Sequence, residues 1–222
     1  MNGRSWVPPL TGLAFLVLVI VGFAIGGEPP DVDDNSAEEI VEWYVDNDGS
    51  IMFGAALQTL AATLLIFFGA YLWRLLREAD QRGGAAALAT FAGMVVLGVG
   101  IAIDGTINFA AADNAEDIDP TAVQALATLW QGDFLPLALG TQVFLLGLGV
   151  SVIRWGALPT WIGWIAVVLG VIAVTPIGWV SFLAGGILIG VISVMLALRE
   201  RSASGGPPPA PTSPPGAPPQ GT

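Results

Sequence analysis

Asp104 and Asn108 are the residues whose types and spacing most invite chemistry. They lie four positions apart at the end of a long apolar stretch, so a helix puts the acid and the amide on one face. Asp133 opens the next long apolar stretch from the same side. Ionisable groups within a bilayer are costly and mark ion or proton sites, and two carboxylates held close contest one proton. Deeper polar groups are Gln58, Thr59 and Thr63 in one stretch and Thr141 and Gln142 in another. Asp104, Asp133, Gln58, Gln142 and Asn108 together form the candidate ion or solute site. A plainer expectation competes with it. From Ala85 to Asp104 is about 28 Å of helix at about 1.5 Å per residue, which reaches the outer edge of a hydrocarbon core, so both carboxylates are expected at the interface, hydrated. The amides and threonines are expected to hydrogen-bond between helices.

A second pattern, Asp31-x-Asp33-x-Asn35 with Glu42 eleven residues after Asp31, has the frame of a calcium loop. Ser36 stands where the sharp turn needs Gly, and Ser36-Ala37-Glu38-Glu39 reads as a capping box that starts a helix too early for the loop to close. A solvated acidic loop is therefore expected, and no metal site.

Composition removes most other chemistries. The chain has no Cys and no His, and its seven basic residues are all Arg. That excludes disulfides and thiol nucleophiles, the usual neutral-pH base and most zinc or haem ligation, and Schiff-base or P-loop lysines. No enzymatic activity and no cofactor are expected. An enzyme acting on lipid with carboxylates alone would need two acids within reach of one substrate pocket. A formal net charge of −11 makes a poor nucleic-acid partner.

The elements that must position these residues are membrane helices. Hydrophobic residues make up 54% of the 222-residue chain, charged residues 11%, and the mean hydropathy is +0.73. A soluble domain carries roughly a quarter charged residues. Six apolar runs approach the length of about 20 residues that a span requires: 7–25, 51–73, 85–107, 134–153, 161–175 and 177–198. The fifth is short and separated from the sixth only by Pro176-Ile177-Gly178, which reads as a tight hairpin because Pro breaks the helical ladder. With six spans, Arg4, Arg74, Arg77, Arg82, Arg154, Arg199 and Arg201 all fall on one side, and the positive-inside rule makes it cytoplasmic, as are both termini. Of the 18 acidic residues only Glu78, Asp80 and Glu200 share that side. A competing reading takes Arg4, the first apolar run and Ala24-Ile25-Gly26 as a cleaved signal peptide; the run is long for that role.

The outer segments carry short helices of their own. Ile40, Val41, Trp43, Tyr44 and Val45 make an amphipathic helix behind the capping box, at a depth that suits Trp and Tyr. Asp119 caps and Pro120 starts a second, with Val123, Leu126, Leu129 and Trp130 as its apolar stripe. Spans one-two and three-four thus resemble two copies of one hairpin, with Gln58 and Gln142 in corresponding places. Ala89-x-x-x-Gly93 and Gly186-x-x-x-Gly190 permit close helix contact, within the chain or in a dimer. Residues 202–222, rich in Pro and Gly and uncharged, are expected to be a disordered cytoplasmic tail.

The run Gly156-Ala157-Leu158-Pro159-Thr160-Trp161-Ile162-Gly163-Trp164 after Arg154, with the outer Glu39-Ile40-Val41-x-Trp43-Tyr44 helix, resembles uncharacterised six-span membrane proteins of actinobacteria assigned to domains of unknown function. The resemblance implies fold and location and no activity. The expectation is an all-α membrane protein: a six-helix transmembrane bundle over residues 1–201 with two short extracytoplasmic interfacial helices. It sits in the plasma membrane, with the lipid bilayer as its partner and a second membrane protein or another copy of itself as a candidate one. A non-enzymatic interaction, sensory or envelope role leads. The alternative is a small-solute or cation/proton transporter, which requires the polar groups to converge on one cavity.

Overall fold

A computed structural model describes residues 7–80 and 84–204, and its regular structure among these is helical. The elements are α1 (Val7–Gly26), α2 (Ala37–Asp46), α3 (Asp48–Ala79), α4 (Ala85–Asn114), α5 (Pro120–Gly132), α6 (Phe134–Trp155), α7 (Thr160–Ile172) and α8 (Gly178–Ser204). Five stretches are long and apolar enough to cross a membrane; the first carries α1, the second α3, the third α4, the fourth α5 with α6, and the fifth α8. α7, at 13 residues, is apolar but falls short of that length. The predicted fifth span, 161–175, therefore ends three residues early in a turn through Ala173–Ile177, where Pro176 cannot continue the ladder. α4 contains the predicted third span, 85–107, and continues seven residues further, to Asn114. The second, 51–73, begins at Asp48 and ends at Ala79. Arg4, Arg82 and the part of the predicted tail from 205 onward lie outside the described residues.

Glycines set how neighbouring helices meet. A Cβ at Gly93 would lie 2.1 Å from the Phe144 backbone nitrogen, and one at Gly140 2.4 Å from that of Leu97, so α4 and α6 touch backbone to backbone. A Cβ at Gly54 of α3 would likewise lie 2.7 Å from the Gly22 carbonyl oxygen of α1. Gly163 of α7 faces Gly149 of α6, and Gly190 of α8 faces Leu16 of α1. In each pair residue numbers rise on one helix as they fall on the other, for α8 and α1 with Gly186 beside Leu16 and Ser193 beside Leu13, so these neighbours are antiparallel. Both small-residue motifs are thus occupied by contacts within the chain. Phe15, Leu65, Phe68, Met94, Phe144 and Leu148 fill the space between them.

Hydroxyls behave differently from expectation. Thr59, Thr63 and Thr90 bond back to carbonyls of their own helices, at Ala55, Thr59 and Ala86, so they spend their donors locally and do not tie helices together. Ser193, Ser181 and Tyr71 do link one helix to another. Ser193 of α8 accepts from the Leu13 N–H at 2.9 Å and donates to the Pro9 carbonyl, standing astride one turn of α1. Ser181 donates to the Leu169 carbonyl at 2.8 Å and closes the α7–α8 hairpin. Tyr71 of α3 donates to Glu200 of α8 at 2.7 Å.

The run after Arg154 is a connector. Gly156, at φ 72°, ends α6 in the left-handed conformation that favours Gly. Leu158 is buried, Pro159 precedes the first residue of α7, and Trp161 and Trp164 face outward.

A second, smaller core lies over the opposite end of the bundle. Ile40 and Tyr44 of α2, Ile51 of α3, Ala111, Ala112 and Ala115 at the end of α4, and Val123 and Ala127 of α5 are buried against one another. The capping box starts α2 as its sequence implies: Ser36 accepts from the Glu39 N–H and the Glu39 carboxylate accepts from the Ser36 N–H at 2.8 Å. Asp119 caps α5 through the Thr121 N–H at 2.9 Å. Of the predicted α5 stripe, Val123 is buried while Leu129 points outward, its place taken by Ala127.

Candidate functional site

The α2–α5 core determines the surroundings of Asp104. Because α4 continues to Asn114 and the two short helices lie over its last turns, Asp104 and Asn108 are 4% and 8% exposed. Chain length from Ala85 measures position along the helix and is blind to what folds over its end, so the expected hydration of Asp104 does not hold. The helical spacing does place both on one side of α4, and they take different partners. Asn108 Oδ1 accepts from the Tyr44 hydroxyl at 2.9 Å, locking α2 onto α4. Burial and then the Asp104 carboxylate push the Tyr44 phenol above its usual range.

Asp104 faces Asp133, Trp130 and Gln58. The charge of Asp133, which caps the junction of α5 and α6, acts directly on it, and the Trp130 indole N–H and the Gln58 amide are its nearest hydrogen-bonding neighbours. None closes a bond of ordinary geometry: Asp104 Oδ2, Asp133 Oδ2, Gln58 Oε1 and Trp130 Nε1 are all buried without a partner. Such a vacancy costs about 1–3 kcal/mol per group, more where the group is charged. Gln58 itself is wedged between glycines. A Cβ at Gly22 would stand 3.1 Å from its Cγ, and one at Gly105 2.8 Å from its Oε1.

Asp133 is also the inner wall of a cavity of about 570 Å³ on the acidic face, lined by Glu28, Asp31, Trp130, Gln131 and Trp179. The Gln131 amide donates to the Pro30 carbonyl at 3.3 Å across its rim. On the inner side of Asp104, α4 and α6 leave no gap between them: Gly100 meets Leu137 and Gly140 meets Leu97 at backbone distance.

Gln142 stands apart. It is half-buried on the α6 face beside Ala173, Val174 and Pro176, in a separate cavity under the α7–α8 turn. Four of the five predicted site residues thus share one region, and the proposed equivalence of Gln58 and Gln142 does not bring the two together. Trp130 and Tyr44 join the site unforeseen. Their sequence signal was the aromatic face of each short helix, which says nothing about the partner to which an indole N–H or a phenol is offered.

The calcium-type frame is spent on a turn. Asp31 Oδ1 accepts from the Asp33 N–H at 3.0 Å, the Asn35 amide donates to the Asp31 carbonyl at 2.8 Å, and α2 begins at Ala37. Among the described residues no three acidic side chains are gathered as a metal site would require.

The stretch from within α1 to the last turns of α8 coincides with a known unit. A family model described as "Domain of unknown function (DUF4386)" matches residues 10–199. The chain belongs to the DUF4386 family. No curated protein and no solved structure matches it. The DUF4386 match covers both cores and every residue of the polar cluster, so the bundle and its outer layer form one family unit.

Proposed function

We propose that this chain is a non-enzymatic plasma-membrane protein of six spans with both termini in the cytoplasm, whose acidic outer layer serves a sensory or interaction role. The observation that carries this reading is the α2–α5 layer, with its own core, closing over the buried Asp104 cluster from the acidic side. Six spans are supported by α7: it pairs antiparallel with α6 from Gly163, and the turn that follows brings Gly178 beside Phe134, at the far end of α6. The described arginines then sit in the last two turns of α3, α6 and α8, a single end, where cations also suit the helix dipole.

Convergence of Asp104, Asp133 and Gln58 favours a second reading, transport of a cation or proton. The close α4–α6 contact on the inner side of the cluster, and the distance of Gln142 from it, support binding without passage. Purified protein in liposomes is expected to carry no proton or alkali-cation flux above empty vesicles, while the tryptophan emission of the outer cavity responds to the external medium. A flux that disappears in Asp104→Asn would replace the sensory reading with the transport one.

A further inference from the structure

We propose that Asp104 and Asp133 bind one proton between them, exchanged only with the outer aqueous phase through the Glu28–Asp31 cavity, with Gln58 and Trp130 as positioning residues. The proposal deepens the sensory reading by naming its ligand, and the chemistry stands on four observations.

The first is the balance of donors and acceptors. Three buried oxygens, Asp104 Oδ2, Asp133 Oδ2 and Gln58 Oε1, and one buried donor, Trp130 Nε1, lack a partner, and the Gln58 amide N–H is the other donor turned toward Asp104. Adding a proton turns an Asp104 oxygen into a donor that Gln58 Oε1 can accept, leaves Trp130 to serve the remaining oxygen, and reduces the pair to a single negative charge.

The second is space. Asp104 and Gln58 are both more than nine-tenths buried, and glycines on either side of Gln58 hold its amide oxygen against the neck of α4. A proton needs no room. A hydrated metal ion does, and an indole N–H aimed at the cluster repels one.

The third is the surrounding charge. Facing the pair are Gln58 from α3, the phenol of Tyr44 from α2, Trp130 from α5 and, across the cavity, Glu28 and Asp31 from the segment between α1 and α2 and Trp179 from α8. None of these is a base, and the arginines of α3, α6 and α8 are at the other end of their helices.

The fourth is access. Asp133 lines the outer cavity, whereas inward of the pair Leu97 and Leu137 close the seam between α4 and α6 against Gly140 and Gly100. The occupant therefore reports the outer medium alone. Because Asp133 belongs to the α5–α6 junction and Asp104 to α4, loss of the proton sets two like charges against each other across that junction and loosens the outer layer.

The test is infrared difference spectroscopy of the full chain in lipid nanodiscs between acidic and alkaline buffers. The expected result is a single carboxylic-acid C=O band at the high frequency of a dehydrated acid, unchanged when sodium replaces potassium, and lost in both Asp104→Asn and Asp133→Asn. Trp130→Phe keeps the bulk and removes the N–H, so the band should persist with a shifted frequency and titration midpoint. Absence of the band from the wild type, its survival in either Asn variant, or its loss on adding sodium at constant pH would overturn the proposal. So would an unshifted band in folded Trp130→Phe, which remains decisive if the Asn variants fail to fold. A missing band without liposome flux would discard the proton site and leave the sensory reading in place.

Discussion

Gly140→Ala is expected to lower stability by about 3 kcal/mol or more, toward and beyond the upper end of overpacking costs. The added methyl group would stand 2.4 Å from the backbone nitrogen and 2.6 Å from the Cα of Leu97, and backbone cannot swing aside as a side-chain tip can. Relief requires α4 and α6 to separate along their shared seam, which also carries Gly93, Gly147 and Gly100. Packing across such seams is what holds helices together in lipid, where no hydrophobic drive is left to do so. Thermal unfolding in detergent should show the loss as a large drop in midpoint. Gly49→Ala is the matched control: nothing lies within 4 Å of its added carbon, so it should be neutral or gain up to about 1 kcal/mol from helix propensity. Equal effects at both positions would remove the close-contact account of the bundle.

Tyr44→Ala is expected to cost about 3–5 kcal/mol, the range for deleting a buried aromatic side chain, and to spend it on the outer layer alone. Tyr44 is fully buried among Ile40, Ile51 and the alanines of α4, and its hydroxyl is the partner of Asn108 Oδ1. Hydrogen exchange should rise across α2 and α5 while the lower halves of α3 and α4 stay protected. Tyr44→Phe keeps the packing and should lose about 1 kcal/mol. A pH dependence follows as well. The folded-state phenol titrates above its ordinary value of 10.0, first because it is buried and then because Asp104 lies near. Folding therefore favours the neutral form, and that contribution is complete below pH 10.0 and lost as pH rises beyond it. The wild-type outer layer should open in strong alkali by this route, and Tyr44→Phe should lack that phase.

Much of this organisation is legible in the residues themselves. The capping box at Ser36 and Glu39 and the Asp119-Pro120 helix start are local signals, and each appears where its chemistry puts it, while the break marked by Pro176 already begins after Ile172. So does the shared face of Asp104 and Asn108, which needs only helical periodicity. What could not be read is whatever depends on tertiary overlap. The burial of Asp104 follows from α2 and α5 meeting over α4, and the contact of Tyr44 with Asn108 joins residues 64 apart. Gln142 shows the converse error. A matching position in a repeated hairpin suggested a shared site, but the rotation of α6 turns it toward the α7–α8 turn. Thr59, Thr63 and Thr141 are expected to link helices; Thr59 and Thr63 each have a carbonyl of their own helix within reach and bond to it, and the buried Thr141 hydroxyl meets no partner.

The claim beneath all of this is that the arginine-bearing helix ends and the acidic outer layer face different aqueous compartments. The chain has no Cys, so single cysteines can be placed on a silent background. Glu78 and Asp117 are exposed at opposite ends of the bundle, and Thr175 lies in the turn after α7. In intact cells a membrane-impermeant maleimide should label Asp117→Cys and Thr175→Cys, and reach Glu78→Cys only after permeabilisation. Labelling of Glu78→Cys and Asp117→Cys together in intact cells would contradict the topology and the one-sided proton site built on it.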